Sequence, residues 1–322
     1  MEIIENYTEQ LNTDNKVQQA FCEYLRKRGI AEDKSESTLE SDYYIAKQLF
    51  EFNPEIGFED LETSTIIDFI EWLKAEKRKD KAESLASSTL KTYYNRLSAF
   101  FKWLKSTGKI ESNPVDNIDT PSVTHDDKQY IDQEGLDKIF RTIERGISWQ
   151  NNFLRERNIA IFQVLLYTGV RRNELLSIKL RHIDLNRGEL LIKKEGSKSK
   201  SDRSIPLNSR VKLALQSYLD KRDMPEVDSP YLWISSSTKE KFTVSGLKHL
   251  VNKVNKASGV DFSVHQFRHT FAVNSTVQGL NMEELRDLMG HRSLESVRKY
   301  LRQVPKEHTR EKLEGLNIDA MV

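Results

Sequence analysis

Between Val17 and Leu104 the apolar positions recur at helical spacing. Leu90, Tyr94, Leu97, Phe101 and Leu104 advance by alternating steps of four and three, which places them on one helix face. Ser88, Lys91, Asn95, Ser98 and Lys102 keep the same spacing on the opposite side. Gly108 ends this helix, and Asn113–Pro114 opens a turn. Residues 115–129, VDNIDTPSVTHDDKQ, are polar, contain a proline and lack a period, the pattern of an interdomain linker. Residues 1–15 read as a flexible tail. After Tyr130 helical spacing returns at about 133–145 and 156–167, followed by a short helix from Val170. HIDLNRGELLIKKEGSKSKSDRSIPL then alternates around NRG and around a Ser/Lys-rich turn, which predicts a small β-meander. Helices resume at about Ser209. The expected fold is mostly α with a small antiparallel β-sheet. Its expected parts are a helical domain over 16–114, a second α+β domain over 130–304 and a tail over 305–322.

Composition narrows this picture only slightly. The 322 residues suffice for two domains with substantial cores. Charged residues make up 31% and hydrophobic ones 37%, the balance of a globular chain. Net charge is +1, so any basic surface must come from local clustering. The single cysteine, Cys22, lies in a helical apolar pattern and supports neither a disulfide framework nor a cysteine zinc site. No apolar run approaches the roughly 20 residues that a membrane helix needs. The N-terminal stretch is acidic and polar, unlike a signal peptide. These features predict a cytoplasmic protein without metal, cofactor or membrane partner.

Four stretches carry candidate chemistry. In LLYTGVRRNELLSI a buried-type helix stops at Thr168–Gly169 and a new one begins. Arg171 falls in its first turn, and Glu174, three residues on, shares its face; a carboxylate there can fix a guanidinium, or the two can form an ordinary surface pair. In VHQFRHTFAV, His265, Arg268 and His269 project together with Ala272, while Phe267 and Phe271 project roughly opposite. His269 reads as a supporting hydrogen-bonding group. GSKSKSDRSIPL is a basic hairpin tip in which Lys198, Lys200 and Arg203 are candidate cations for a phosphate, or parts of a solvated turn. The polar stripe of the 88–102 helix is either a solvated face or a surface laid on DNA, with lysines to phosphate and Ser or Asn to phosphate or base edges.

The fourth stretch is GHRSLESVRKY, Gly290 to Tyr300. On one straight helix His291 and Tyr300 would point to opposite sides. Gly290 is a helix stop and Ser293 a natural N-cap, so a turn between them puts His291 on a loop and Tyr300 two turns into the next helix. Leu294, Val297, Leu301 and Val304 form an apolar stripe with Tyr300 on its edge. Core packing and reactivity are both open for Tyr300 on this stretch alone.

Taken together, TGVRRNEL, HQFRH, MGH and Tyr300 nine residues after His291 resemble the tyrosine recombinase (phage integrase) family in order and spacing. The resemblance runs from about Val17 to about Pro305 and includes STLKTYYNRLSAFFKWL, which is similar to the family's helical core-binding domain. It implies a two-domain clamp on double-stranded DNA and strand cleavage through a covalent 3′-phosphotyrosine. Tyr300 would be the nucleophile, Arg171 and Arg268 the phosphate-holding guanidiniums, His291 a further donor and His265 a general base or phosphate ligand. The hairpin lysine, found by counting eight back from Pro206, would be Lys198 as general acid, with Lys200 as the alternative. Met289 stands where the family usually has leucine. Only a short tail precedes the core-binding region, which implies action on short paired core sites without an arm-binding domain. The tail after Pro305 would dock on a neighbouring subunit of a tetramer, and accessory proteins are conceivable partners. A topoisomerase IB-like or hairpin-resolving enzyme would use the same residues, and a non-catalytic DNA-binding accessory protein is the second alternative.

Overall fold

A computed structural model of the chain describes residues 2–80, 85–119, 130–194, 201–222, 228–291, 293–301 and 304. The chain divides into two compact units, Met1–His125 and Asp126–Val322.

The first unit is helical: α1 (Glu2–Thr8), α2 (Lys16–Arg26), α3 (Glu36–Phe52), α4 (Thr63–Asp80) and α5 (Ser87–Ser106). Asn15 starts α2 by accepting hydrogen bonds from the amides of Val17 and Gln18. A π-helical turn, Lys27–Ala31, ends it. The predicted face of α5 points inward, with Leu90, Tyr94, Leu97, Phe101 and Leu104 all buried. Rings dominate this core: Phe21 meets Phe100 edge-on at 5.1 Å, and Tyr24 meets Trp103 at 5.6 Å. Each such ring buries a large apolar area and adds a modest term for ring-on-ring geometry. Asp42, buried beneath them, is paired with Arg28 at 2.9 Å and Arg96 at 3.2 Å.

Two boundaries differ from the sequence expectation. Residues 1–15 do not behave as one flexible tail, because 2–8 form α1. Ile4 is buried, Tyr7 stacks on Tyr43 at 4.4 Å, and the Tyr43 hydroxyl donates to Gln10. Two turns of polar, acidic helix offer too few apolar positions to show a period; tertiary packing holds them. The supposed linker also begins inside the first unit. Val115 belongs to its core, and Asn113 donates to Ser98 and to Asp116 while accepting from the Val115 amide. Residues 120–129, the rest of that stretch, lie outside the described residues.

The second unit runs α6 (Gln133–Arg141), α7 (Asn152–Thr168), α8 (Arg172–Leu176), β1 (Ile183–Asp184), β2 (Glu189–Ile192), β3 (Arg203–Pro206), α9 (Ser209–Arg222), α10 (Val244–Ser258), α11 (Val264–Val277), α12 (Met282–Met289) and α13 (Glu295–Leu301). From Ile159 to Tyr167 α7 is apolar but for Gln163, and Ala160, Ile161, Phe162 and Val164 are fully buried, as befits a central helix. It packs against α9 and α11. The strands form one antiparallel sheet in the order β1-β2-β3, with Leu190 opposite Ile205 and Ile192 opposite Arg203. Leu190, Ile192 and Ile205 turn into the main core. A second, smaller cluster lies between α11, α12 and α13: Ala272, Leu285, Met289, Val297 and Tyr300, with Phe271 packed against it.

Candidate active site

Gly169 ends α7 in the left-handed conformation and the chain turns into α8. Arg171 is the N-cap of α8, one step before the first turn in which the sequence placed it. Its extended backbone lets its amide donate to Glu174 Oε2 at 2.9 Å while its Nη1 donates to Glu174 Oε1 at 2.9 Å. Glu174 therefore caps the helix and clamps the arginine at once. It is 3% exposed, so this is not an ordinary surface pair.

Three guanidiniums converge on the C-terminal end of α12. Arg171 donates from Nη1 to the Met289 carbonyl at 3.2 Å and from Nη2 to that of Gly290 at 3.0 Å. Arg268 donates to Met289 at 2.7 Å and to the Gly169 carbonyl at 2.6 Å. Arg203 donates from Nε to the Leu288 carbonyl at 2.8 Å. The last carbonyls of a helix lack intrahelical donors and carry the negative end of its dipole, so cations suit them. Within this group three guanidiniums face one carboxylate, Glu174, an excess of positive charge that favours an anion. Arg268 is nearly fully buried, and burial, with Arg171 beside it, pushes its guanidinium down to about 10. It stays cationic at neutral pH.

Gly290 closes α12 with φ 62°, and His291 follows on the turn. Its Nε2 lies 2.9 Å from Arg268 Nη2. A guanidinium only donates, so in this contact the imidazole nitrogen is the acceptor. The turn re-enters a helix where the Ser293 and Leu294 carbonyls accept from the amides of Ser296 and Val297. Tyr300, on α13, is fully buried. Its ring meets His269 edge-on at 4.8 Å and His291 at 5.8 Å, and its hydroxyl interacts with Arg268. His269 in turn meets His265 at 4.8 Å. Only His265 of this row is exposed. The two readings of Tyr300 thus coexist, since one ring belongs both to the small apolar cluster and to the cationic group. α11 does not split cleanly into an apolar and a polar face, because Phe267, Arg268, His269 and Ala272 are all buried.

The structure gathers Arg171, Glu174, Arg268, His269, His291 and Tyr300 in one place, with His265 at the rim. Lys198 and Lys200 lie outside the described residues. Arg203 is not a free cation on a hairpin tip: its side chain is 9% exposed, and it donates to both Glu174 oxygens, at 3.2 and 2.7 Å. Its position at the start of β3 aims it back into the unit. Ser88, Lys91, Asn95 and Lys102 are exposed along α5, whereas Ser98 is half-buried and accepts from Asn113. The carbonyls of Gly169, Leu288, Met289 and Gly290 escaped sequence reasoning, because a backbone oxygen leaves no mark in residue identity. Among the described residues, no group of three or more His, Cys, Asp and Glu could hold a metal ion, and no helix is long and apolar enough to cross a membrane.

Comparison with known proteins follows the same division of the chain. The Phage integrase family matches residues 129–307, and the Phage integrase SAM-like domain matches residues 2–120. The tyrosine recombinase XerA of Pyrococcus furiosus is 26% identical over 309 residues, covering 94% of this chain and 95% of that protein. The tyrosine recombinase XerC of Staphylococcus aureus is 27% identical over 294 residues, covering 89% of this chain and 91% of that protein. Among solved structures, the XerH site-specific recombinase bound to a palindromic difH substrate, a post-cleavage complex, shares the fold. Its TM-score is 0.72 at 18% identity, over 98% of this chain and 94% of that one. The Tn1549 transposon integrase in complex with transposon right end DNA gives a TM-score of 0.71 at 20% identity, over 93% and 99% of the two chains.

Proposed function

The chain belongs to the phage integrase family, and on that premise we propose that it is a site-specific tyrosine recombinase that cuts and rejoins DNA strands. The observation that carries this reading is the convergence of Arg171, Arg268, His291 and Tyr300 on the end of α12, with positive charge in excess. A phosphodiester carries one negative charge, which concentrates in the pentavalent transition state. Planar guanidiniums suit its oxygens as paired donors.

In this mechanism the Tyr300 oxygen forms a bond to phosphorus and the bond from phosphorus to the 5′-oxygen breaks. The tyrosine proton leaves toward His265, and the departing 5′-oxygen takes a proton from Lys198. The phosphotyrosine ester keeps the energy of the broken bond, so a 5′-hydroxyl from a second strand can reverse the step without ATP. Arg171 and Arg268 exchange backbone carbonyls for phosphate oxygens. His291, freed from Arg268, can turn so that its ring N–H donates to a non-bridging phosphate oxygen. Attack also requires Tyr300 to leave its apolar cluster, so DNA binding must loosen α13 from α11 and α12. The first unit takes the role of core-binding domain, with Ser88, Lys91, Asn95 and Lys102 toward DNA. The segment 305–322, outside the described residues, takes the role of a tail docking on the next subunit of a tetramer on paired sites.

A nicked duplex tests the reading directly. DNA chosen from a random-sequence pool by its binding to the chain is nicked beside the scissile phosphate, so the cut strand diffuses away and the adduct accumulates. The wild type should give a protein–DNA adduct that survives denaturant, and Tyr300→Phe should give none. Absence of an adduct in the wild type, or an undiminished one in Tyr300→Phe, overturns the assignment.

A further inference from the structure

Arg203 is where the β-hairpin meets the site. Asp202, just before it, closes the base of the hairpin by accepting from Lys193 Nζ at 2.7 Å and from the Lys194 amide at 2.9 Å. The Arg203 side chain turns the other way. Its Nη1 and Nη2 reach the two oxygens of Glu174, and its Nε reaches the Leu288 carbonyl. Every one of these partners belongs to the protein's own framework.

What Arg203 does follows from its partners. Glu174 is the carboxylate that holds Arg171, and Oε1 is shared between Arg171 Nη1 and Arg203 Nη1. A carboxylate is free to rotate about its last torsion unless a fork of donors fixes its plane. Shared between two cations, Glu174 also holds each of them less exclusively. Without Arg203, Glu174 would draw its full charge onto Arg171 and compete with an incoming phosphate. The contact to Leu288 acts on the other side of the site. The next carbonyl, that of Met289, receives Arg171 and Arg268, and His291 follows two residues later. A Cβ at Gly290 would lie 2.7 Å from Arg203 Nη1, so any larger residue there would have to push Arg203 aside.

We infer that Arg203 is a positioning residue for strand cleavage, acting on Arg171 through Glu174 and on His291 through the end of α12, without touching DNA. The inference rests on the recombinase reading above. Single-turnover cleavage of the nicked duplex by the full chain, at saturating DNA, tests it alongside DNA affinity and thermal unfolding. Arg203→Ala should lose about 100-fold in cleavage rate, the scale of a small misplacement of reacting groups, with DNA affinity unchanged. Arg203→Lys should recover part of that loss, because an ammonium can bond Glu174 but cannot also span both its oxygens and the Leu288 carbonyl. Combined with Glu174→Gln, Arg203→Ala should lose less than the product of the two single losses, because only the route through the Leu288 carbonyl is then left to remove. If Arg203→Ala does not fold, Arg203→Lys carries the same comparison with Glu174→Gln. Losses that multiply, a loss confined to DNA affinity, or wild-type cleavage by both Arg203 variants each overturn the inference. A wild type that forms no adduct overturns the recombinase reading beneath it, which separates the two failures.

Discussion

In the first unit the fully buried side chains include Phe21, Leu25, Leu49, Phe69 and Phe101, and rings pack on rings. In the α11–α13 corner of the second unit they include Arg268 and Tyr300, and a guanidinium packs on carbonyl oxygens. The first arrangement is stabilised by apolar area, which is non-directional and tolerates swaps of similar volume. The second buries charge, which is acceptable only while every donor has a partner. Its apolar cluster is five residues with Phe271 against it, and one of the five is Tyr300. The corner therefore has little area with which to offset a lost hydrogen bond. In the proposed reaction these buried groups are the ones that act, and a phosphate would replace their carbonyl partners.

The sharpest way to test that contrast crosses one variant from each region. Phe101→Ala should cost about 3–5 kcal/mol of stability by leaving a cavity. Its cleavage rate per folded, DNA-bound molecule should be unchanged. Arg268→Lys should lower cleavage by about 10²–10³, the cost of removing one donor to the transition state. Its stability should fall by only about 1–3 kcal/mol, for carbonyls left short of a donor. Denaturant unfolding and single-turnover cleavage read the two effects separately. The contrast breaks if Arg268→Lys cleaves like the wild type, or if Phe101→Ala slows the folded enzyme.

The same contrast explains what could be read from residues alone. The α5 face was legible because Leu90, Tyr94, Leu97, Phe101 and Leu104 obey one period and one force. The strands around NRG and the stop at Gly290 were legible because alternation and glycine are local signals. Arg171 and Glu174 were legible as a pair because three residues on a helix make neighbours. Arg203 was not, since its partners are 29 and 85 residues away and neither leaves a periodic trace. α1 was missed for the related reason that Ile4 lies against Gly29 and Tyr7 stacks on Tyr43 of α3, so neither is held by its own helix. For Tyr300 the apolar stripe and the spacing from His291 were both present in the sequence. The fold places the ring against both the apolar cluster and Arg268.

A smaller effect separates backbone strain from contact. Gly290 and Gly259 both end helices in the left-handed region, at φ 62° and 69°. Alanine at either should cost about 1–2 kcal/mol for that conformation. Around Gly259 a Cβ meets nothing within 4 Å, whereas at Gly290 it comes within 3.0 Å of the Arg203 Cζ. Arg203 cannot yield freely, because it is tied to Glu174 and Leu288. Gly290→Ala should therefore also slow cleavage, by about tenfold through displaced groups, while Gly259→Ala should not. Equal cleavage by the two variants would show that the site tolerates movement of Arg203.

The smallest expected effect concerns the exposed face of α5, where the first unit would touch DNA. Net charge is only +1, so long-range attraction is weak and each phosphate contact must come from a local cation. Lys91 and Lys102 are exposed, and neither forms an ion pair with a described residue, while Ser98 between them is already engaged by Asn113. Lys91→Ala or Lys102→Ala should each reduce the slope of log affinity against log salt by about 0.9, one released counterion, and leave cleavage at saturating DNA unchanged. A slope that does not move for either variant would make the stripe a solvated face. The two regions would then divide the work unequally, with the first unit contributing packing and the arginine-rich corner contributing nearly all the hold on phosphate.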